Sequence, residues 1–253
     1  CSSSVSNTAT VSVNPNPSIS SLSDNSPICS GDGAIFSISG TSNATVIYTI
    51  NLGANQTLNL DASGEGIVTV SEATSNTTLQ LKTITNTTTN CTTSANNTAT
   101  ISVNPNPSIT SLTSNSPICY GNDSVFNISG TAGATVTYTI NSGTDQTLIL
   151  NASGIGIVTV SGATSNSTIL LKTITNTVTS CSSSVSNTAT VSVNPNPSIS
   201  SLSDNNPVCS GDDAVFSISG TAGATVIYSI NSGSDQTLIL NASGIGIVTV
   251  SSA

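Results

Sequence analysis

The run TVIYTINLGANQTLNLDASGEGIVTV, residues 45–70, decides the fold. Large apolar side chains fall on alternate positions, first Val46, Tyr48 and Ile50, then Leu58 and Leu60, then Val68 and Val70, with Thr49, Asn59 and Thr69 between them and Ile47 the one apolar exception. A two-residue period belongs to half-buried β-strands, not to helices, whose period is 3.6. The interruptions, NLGANQ and DASGEG, carry the Gly and Asn that tight turns use. They are short enough to be hairpins, so neighbouring strands run antiparallel.

Working outward, the same alternation predicts seven strands at about 18–23, 34–39, 45–51, 57–61, 67–71, 77–86 and 98–103. The inward set would include Phe36, Ile38, Val46, Tyr48, Ile50, Leu58, Leu60, Val68, Val70, Leu79, Leu81, Ile101 and Val103. Two sheets burying such faces against each other make one sandwich core. Seven short strands at this spacing predict an immunoglobulin-like antiparallel sandwich without the usual buried Trp. Tyr48, Tyr138 and Tyr228, with Phe36, Phe126 and Phe216, supply its large core residues, one of each per repeat.

The pattern recurs. SVNPNPSI stands at 12–19, 102–109 and 192–199, a period of 90 residues without insertion. Residues 1–25 are identical to 181–205, and 131–163 differ from 221–253 only at 137, 139, 144 and 162. The domain reading is therefore 1–13 as the last strand of a preceding repeat, 14–103 and 104–193 as two full repeats, and 194–253 as a third that stops short of its last strands. That phasing suits a mature piece or a stretch of a longer chain. Each proline fixes its own φ and holds the residue before it extended, so Asn-Pro-Asn-Pro, with Pro15 and Pro17, Pro105 and Pro107, and Pro195 and Pro197, is a stiff connector. Tandem sandwiches on stiff connectors would form a rod.

Composition narrows function. There is no His or Arg, and the only cations are Lys82 and Lys172, against eleven carboxylates, for a net charge of −9. Nucleic acid is an unsuitable partner, because neutralising phosphates needs basic side chains. A Ser nucleophile would lack its usual base, so the reading is not an enzyme and needs no cofactor. Asp32, Asp123, Asp212 and Asp213 are too sparse for a calcium loop and read as polar turns. No apolar run approaches the roughly 20 residues of a membrane helix, so membrane insertion by this segment is not expected.

Six cysteines keep the same period, Cys1, Cys91 and Cys181 in one series and Cys29, Cys119 and Cys209 in the other. With no CxxC and no His, disulfides outrank metal ligation. Pairing inside a repeat, Cys29 with Cys91 and Cys119 with Cys181, meets a geometric objection: Cys29 precedes the second strand and Cys91 follows the sixth. Those strands run the same way, which sets the two cysteines about 20 Å apart at 3.3 Å per residue, whereas a disulfide needs Cα atoms within about 7 Å. The favoured pairing is between repeats, Cys29 with Cys181, leaving Cys1, Cys91, Cys119 and Cys209 to partners in other repeats or subunits. The intra-repeat pairing stays open as the alternative.

NPNPSI, SPICSGDGAIFSISG, VIYTI, GIVTV and a late Cys followed by NTATISVNP together resemble the Ig-like and PKD-like repeats of giant surface proteins of the Bacteroidota. The resemblance implies type IX secretion, an extracellular cell-surface location, and the stalk of an adhesin used in cell adhesion or gliding motility. It also implies an O-glycan at Ser124, within the one DSV sequence of the chain. The alternative function is a subunit of a homopolymeric surface filament, its repeats associating laterally or end to end with those of other copies.

Overall fold

The computed structural model describes residues 1–4 and 6–252, all of it strand, turn or irregular backbone. The first repeat contains β1 (Ile19–Asp24), β2 (Ile28–Cys29), β3 (Ala34–Gly40), β4 (Ala44–Ile50), β5 (Gln56–Asn59), β6 (Glu65–Val70), β7 (Thr77–Asn86), β8 (Thr92–Ser94), β9 (Thr98–Ile101) and β10 (Val103–Asn104). One sheet has the order β1-β3-β6; the other runs β5-β4-β7-β8, with β9 also on β7. These pairings are antiparallel, with Phe36 opposite Val68 and Tyr48 opposite both Gln56 and Leu81. This is the immunoglobulin-like sandwich that the alternation predicts.

Its core is Phe36, Ile38, Val46, Tyr48, Leu60, Val68, Leu79, Leu81, Ile84 and Ile101, with Ile50, Leu58, Val70 and Val103 partly buried around them. Turn chemistry closes the hairpins as the sequence demands. Asn51 and Leu52 both take positive φ, and the Gly53 N–H donates to the Ile50 carbonyl at 2.8 Å. That is a two-residue turn whose twist suits a hairpin. Gly64, at φ +81°, has no room for a side chain: a Cβ there would lie 2.2 Å from the Gly40 carbonyl oxygen.

Two details depart from seven antiparallel strands. The last strand is broken between β9 and β10, and β10 pairs in parallel with the short β2, Val103 with Ile28 and Asn104 with Cys29. Pro27, after a cis bond, and the polar 24–26 corner turn the chain out of β1 before β2 forms. The extra β8 lies along the end of β7.

The second repeat follows the first element by element: β11 (Ile109–Ser114), β12 (Ile118–Cys119), β13 (Ser124–Gly130), β14 (Thr135–Ile140), β15 (Gln146–Ile149), β16 (Ile155–Val160), β17 (Ser167–Thr175), β18 (Ser182–Ser184), β19 (Thr188–Val191) and β20 (Val193–Asn194). Its sheets are β11-β13-β16 and β15-β14-β17-β18, with β19 on β17, and β12 pairs in parallel with β20. Phe126, Ile128, Val136, Ile169, Leu171 and Ile174 are fully buried.

The third repeat has β21 (Ile199–Asp204), β22 (Ala214–Gly220), β23 (Thr225–Tyr228), β24 (Gln236–Ile239) and β25 (Ile245–Val250). They form a β21-β22-β25 sheet and a separate β23-β24 pair. Its buried cluster shrinks to Ile218, Leu240 and Val248, with Phe216, Val226 and Tyr228 only partly covered. The segment read as a preceding repeat's last strand carries no strand in residues 1–4 and 6–13, all of them exposed. Its counterpart β9 is held by pairing with β7 of its own repeat, and among the described residues 1–13 meet no such partner.

Candidate functional site: a cystine at the joint between repeats

The most developed constellation lies where the first repeat passes into the second. Cys29 ends β2, and its N–H donates to the Asp32 carboxylate at 3.1 Å. The chain leaving the repeat is laced to this strand. Ile28 N–H donates to the Ser102 carbonyl at 3.0 Å and Ser30 N–H to the Asn104 carbonyl at 2.8 Å. Ser102 N–H donates to the Ser26 hydroxyl, and Val103 N–H to the Asn76 side chain, each at 2.9 Å. Asn106, between the two prolines, reaches back with its amide to the Ser30 carbonyl at 2.8 Å.

From the second repeat comes the turn between β17 and β18. The Asn176 side-chain oxygen accepts from Val178 and Thr179 N–H, and Asn176 N–H donates to the Cys181 carbonyl at 2.8 Å. Ser180 takes φ +61° in this turn, and Cys181 after it is buried. Cys29 and Cys181 are joined, with S–S 1.99 Å and Cα–Cα 5.5 Å. Beside them the Ser183 hydroxyl donates to the Pro107 carbonyl at 2.7 Å, which ties the connector to the repeat it enters. The connector is thus bonded on both sides. Its first prolines, Pro15, Pro105 and Pro195, are exposed, whereas Pro17 and Pro107 are buried; Pro197 is exposed.

The other cysteines are free thiols. Cys91 occupies the same turn as Cys181, with the same contacts to Thr89 that Cys181 makes to Thr179. Cys119 ends β12 as Cys29 ends β2, with Tyr120 N–H donating to the Asn194 carbonyl. Cys1 and Cys209 are exposed. Neither Cys29 with Cys91 nor Cys119 with Cys181 is brought together. The pairing of Asn106 with Ser30 and of Asn196 with Tyr120 in the preceding repeat is not an expectation of the stiff-connector reading; its signal is the Asn that stands between two prolines in each connector.

Ser124 is corrected by its position. It is fully buried, and its hydroxyl meets no partner. It opens β13 in register with the inward Phe126 and Ile128, where the other repeats have Ala34 and Ala214. A glycosyl-transfer enzyme cannot reach it in the folded repeat.

Two acids of the polar turns accept from a backbone N–H 39 residues away, Asp123 from Gly162 and Asp213 from Ser252. Among the described residues no three His, Cys, Asp or Glu side chains gather as a metal site. Lys172 pairs with Asp145 at 2.7 Å on the surface, and Lys82 donates to Gln80. Burial raises the phenols of Tyr48 and Tyr138, whose hydroxyls donate to Gln56 and Gln146. No described helix is long and apolar enough to cross a membrane.

No family model and no curated protein sequence matches the chain. Similar solved structures include a marsupial T cell receptor, 11% identical over 92% of this chain and 92% of that one, with a TM-score of 0.42. The I9–I11 tandem of titin is 10% identical over 92% of this chain and 90% of that one, at 0.35. Trypsin-activated alpha-2-macroglobulin of Escherichia coli is 13% identical, at 0.30, and this chain spans 24% of its length.

Proposed function

We propose that this chain is a non-enzymatic extracellular spacer, the rigid stalk of a bacterial cell-surface adhesin of the type IX-secreted kind, serving adhesion or gliding. The single observation that carries the reading is the joint at Cys29. A connector bonded on both sides and a cystine joining successive repeats restrict hinge motion, and a restricted hinge is what a load-bearing spacer needs. A cystine also suits an oxidising, extracellular compartment. The near absence of Lys and Arg leaves trypsin-like proteases little to cut, and one unit repeated at a fixed period favours length over chemistry.

Small-angle scattering of the monomer tests this. Three repeats in line, each about 35 Å long by a ten-residue strand, make a rod with a radius of gyration of ~30 Å, against about 18 Å for a compact globule of this length. A value near the compact figure would overturn the stalk, as would a broad distribution unchanged by reducing the cystine.

A further inference from the structure

The bond between Cys29 and Cys181 closes a covalent loop: 152 residues of sequence are spanned by 5.5 Å between Cα atoms. What lies inside that loop decides what a pull on the chain can reach. Residues 30–180 hold every strand from β3 to β17, and with them Phe36, Val46, Leu81, Phe126, Val136 and Leu171 of the two buried cores. They also hold the connector prolines Pro105 and Pro107. Outside the loop lie β1 and β2 on one side and β18, β19 and β20 on the other. Of these, β1 and β18 are edge strands of their sheets.

A tandem array without crosslinks passes tension through every residue. Each repeat in the path then unfolds at a rate set by its own barrier and releases its whole length. Here tension that enters along β1 reaches Cys29, crosses one S–S bond to Cys181 and leaves through β18, β19 and β20. The two sulfurs hold the ends of the loop together whether the residues inside it are folded or not.

We propose that this cystine is a covalent bypass for tension. It carries a pull past both cores and past the Asn-Pro-Asn-Pro connector between them, and so keeps residues 30–180 from lengthening under load. Labour is divided at the joint. The hydrogen bonds from Asn106 to the Ser30 carbonyl and from Ser183 to the Pro107 carbonyl hold the connector against both repeats, while the cystine takes the pull. The prolines thus set the direction of the chain without carrying its tension. Reduction opens the bypass: a dithiol gives two electrons and two protons to the cystine, which becomes two thiols, and the reagent closes into its own ring disulfide. The inference deepens the spacer reading and rests on it only for the source of the pull.

The test stretches the full chain between handles fused to its two ends, in a single-molecule force experiment, after iodoacetamide has blocked the free thiols. Mass spectrometry should count four alkylated cysteines, Cys1, Cys91, Cys119 and Cys209; six would overturn the proposal. The expected result is a final extended length shorter than that of the same chain in excess dithiothreitol by about 500–550 Å, which is 152 residues at roughly 3.3–3.6 Å each. Cys29→Ser and Cys181→Ser, each without reductant, should both reach the reduced chain's length. Extended length counts the residues between the handles whether or not a variant folds, so a variant that fails to fold still reports. Equal final lengths before and after reduction, or a deficit that survives Cys181→Ser, would overturn the proposal. Scattering from the unstretched monomer tests the rod separately. A rod that lengthens fully when pulled removes the bypass alone, whereas a compact monomer that keeps the length deficit removes the stalk alone.

Discussion

Cys29 and Cys181 are 152 residues apart in the chain and 5.5 Å apart at their Cα atoms. The bond closes a loop longer than a whole repeat, so in the unfolded chain it removes much of the freedom the first two repeats would otherwise have. On the chain-entropy model a loop of that length corresponds to about 5 kcal/mol, an upper figure because native strain and residual structure reduce it. Cys29→Ser should therefore lower the guanidinium midpoint for the first two repeats, and a reducing agent should do the same to the unaltered chain. An unaltered midpoint in both experiments would show that the cystine adds no stability.

Ser124 offers a test in the opposite direction. Its buried hydroxyl has no partner, while the equivalent residues of the other repeats are Ala34 and Ala214. Leaving a polar group unsatisfied in a core costs about 1–3 kcal/mol. Ser124→Ala removes the hydroxyl and keeps the fit, so it should stabilise the second repeat by about 1 kcal/mol or more, read from chemical denaturation. A loss of stability would mean that the hydroxyl has a partner after all.

The same residue shows what sequence could and could not give. β3 and β4 were legible because alternation over seven residues names the buried face, and Phe36, Ile38, Val46 and Tyr48 lie on it. Ser124 belongs to that alternation, two before Phe126, so its burial is equally legible in the sequence. β2 and β8 were not legible. Strands of two and three residues have no period, and β2 exists because β10, about 75 residues later, lies beside it. The contacts at the joint, Asn106 to Ser30 and Ser183 to Pro107, depend on how distant loops meet, which no local pattern encodes. The fold was written locally in side-chain alternation, whereas the joint was written only in the spacing of the repeats.

Gly64 separates two kinds of backbone cost. Its φ is +81°, and a Cβ would sit 2.2 Å from the Gly40 carbonyl oxygen, a backbone atom that cannot step aside. Gly31 has φ +97° but open space around it. Gly31→Ala should cost only the conformational strain, about 1 kcal/mol. Gly64→Ala adds a clash and should cost roughly 3 kcal/mol or more. Denaturation midpoints of the two variants, measured side by side, check the order; equal losses would remove the steric account of the β5–β6 turn.

High pH should loosen the sandwiches through two tyrosines. Burial raises the phenols of Tyr48 and Tyr138 above the ordinary value of 10.0. Above that value the unfolded chain has released these protons while the native repeats still hold them, so unfolding releases protons and stability falls as pH rises. The contribution is complete below about pH 10 and disappears once pH passes the raised native value. Tyr48→Phe and Tyr138→Phe together should flatten this alkaline decline, at a cost near neutral pH of about 1 kcal/mol for each hydrogen bond lost to Gln56 and Gln146. The check is the denaturant midpoint followed through the alkaline range. An equally steep decline in the double variant would place the alkaline sensitivity in other groups.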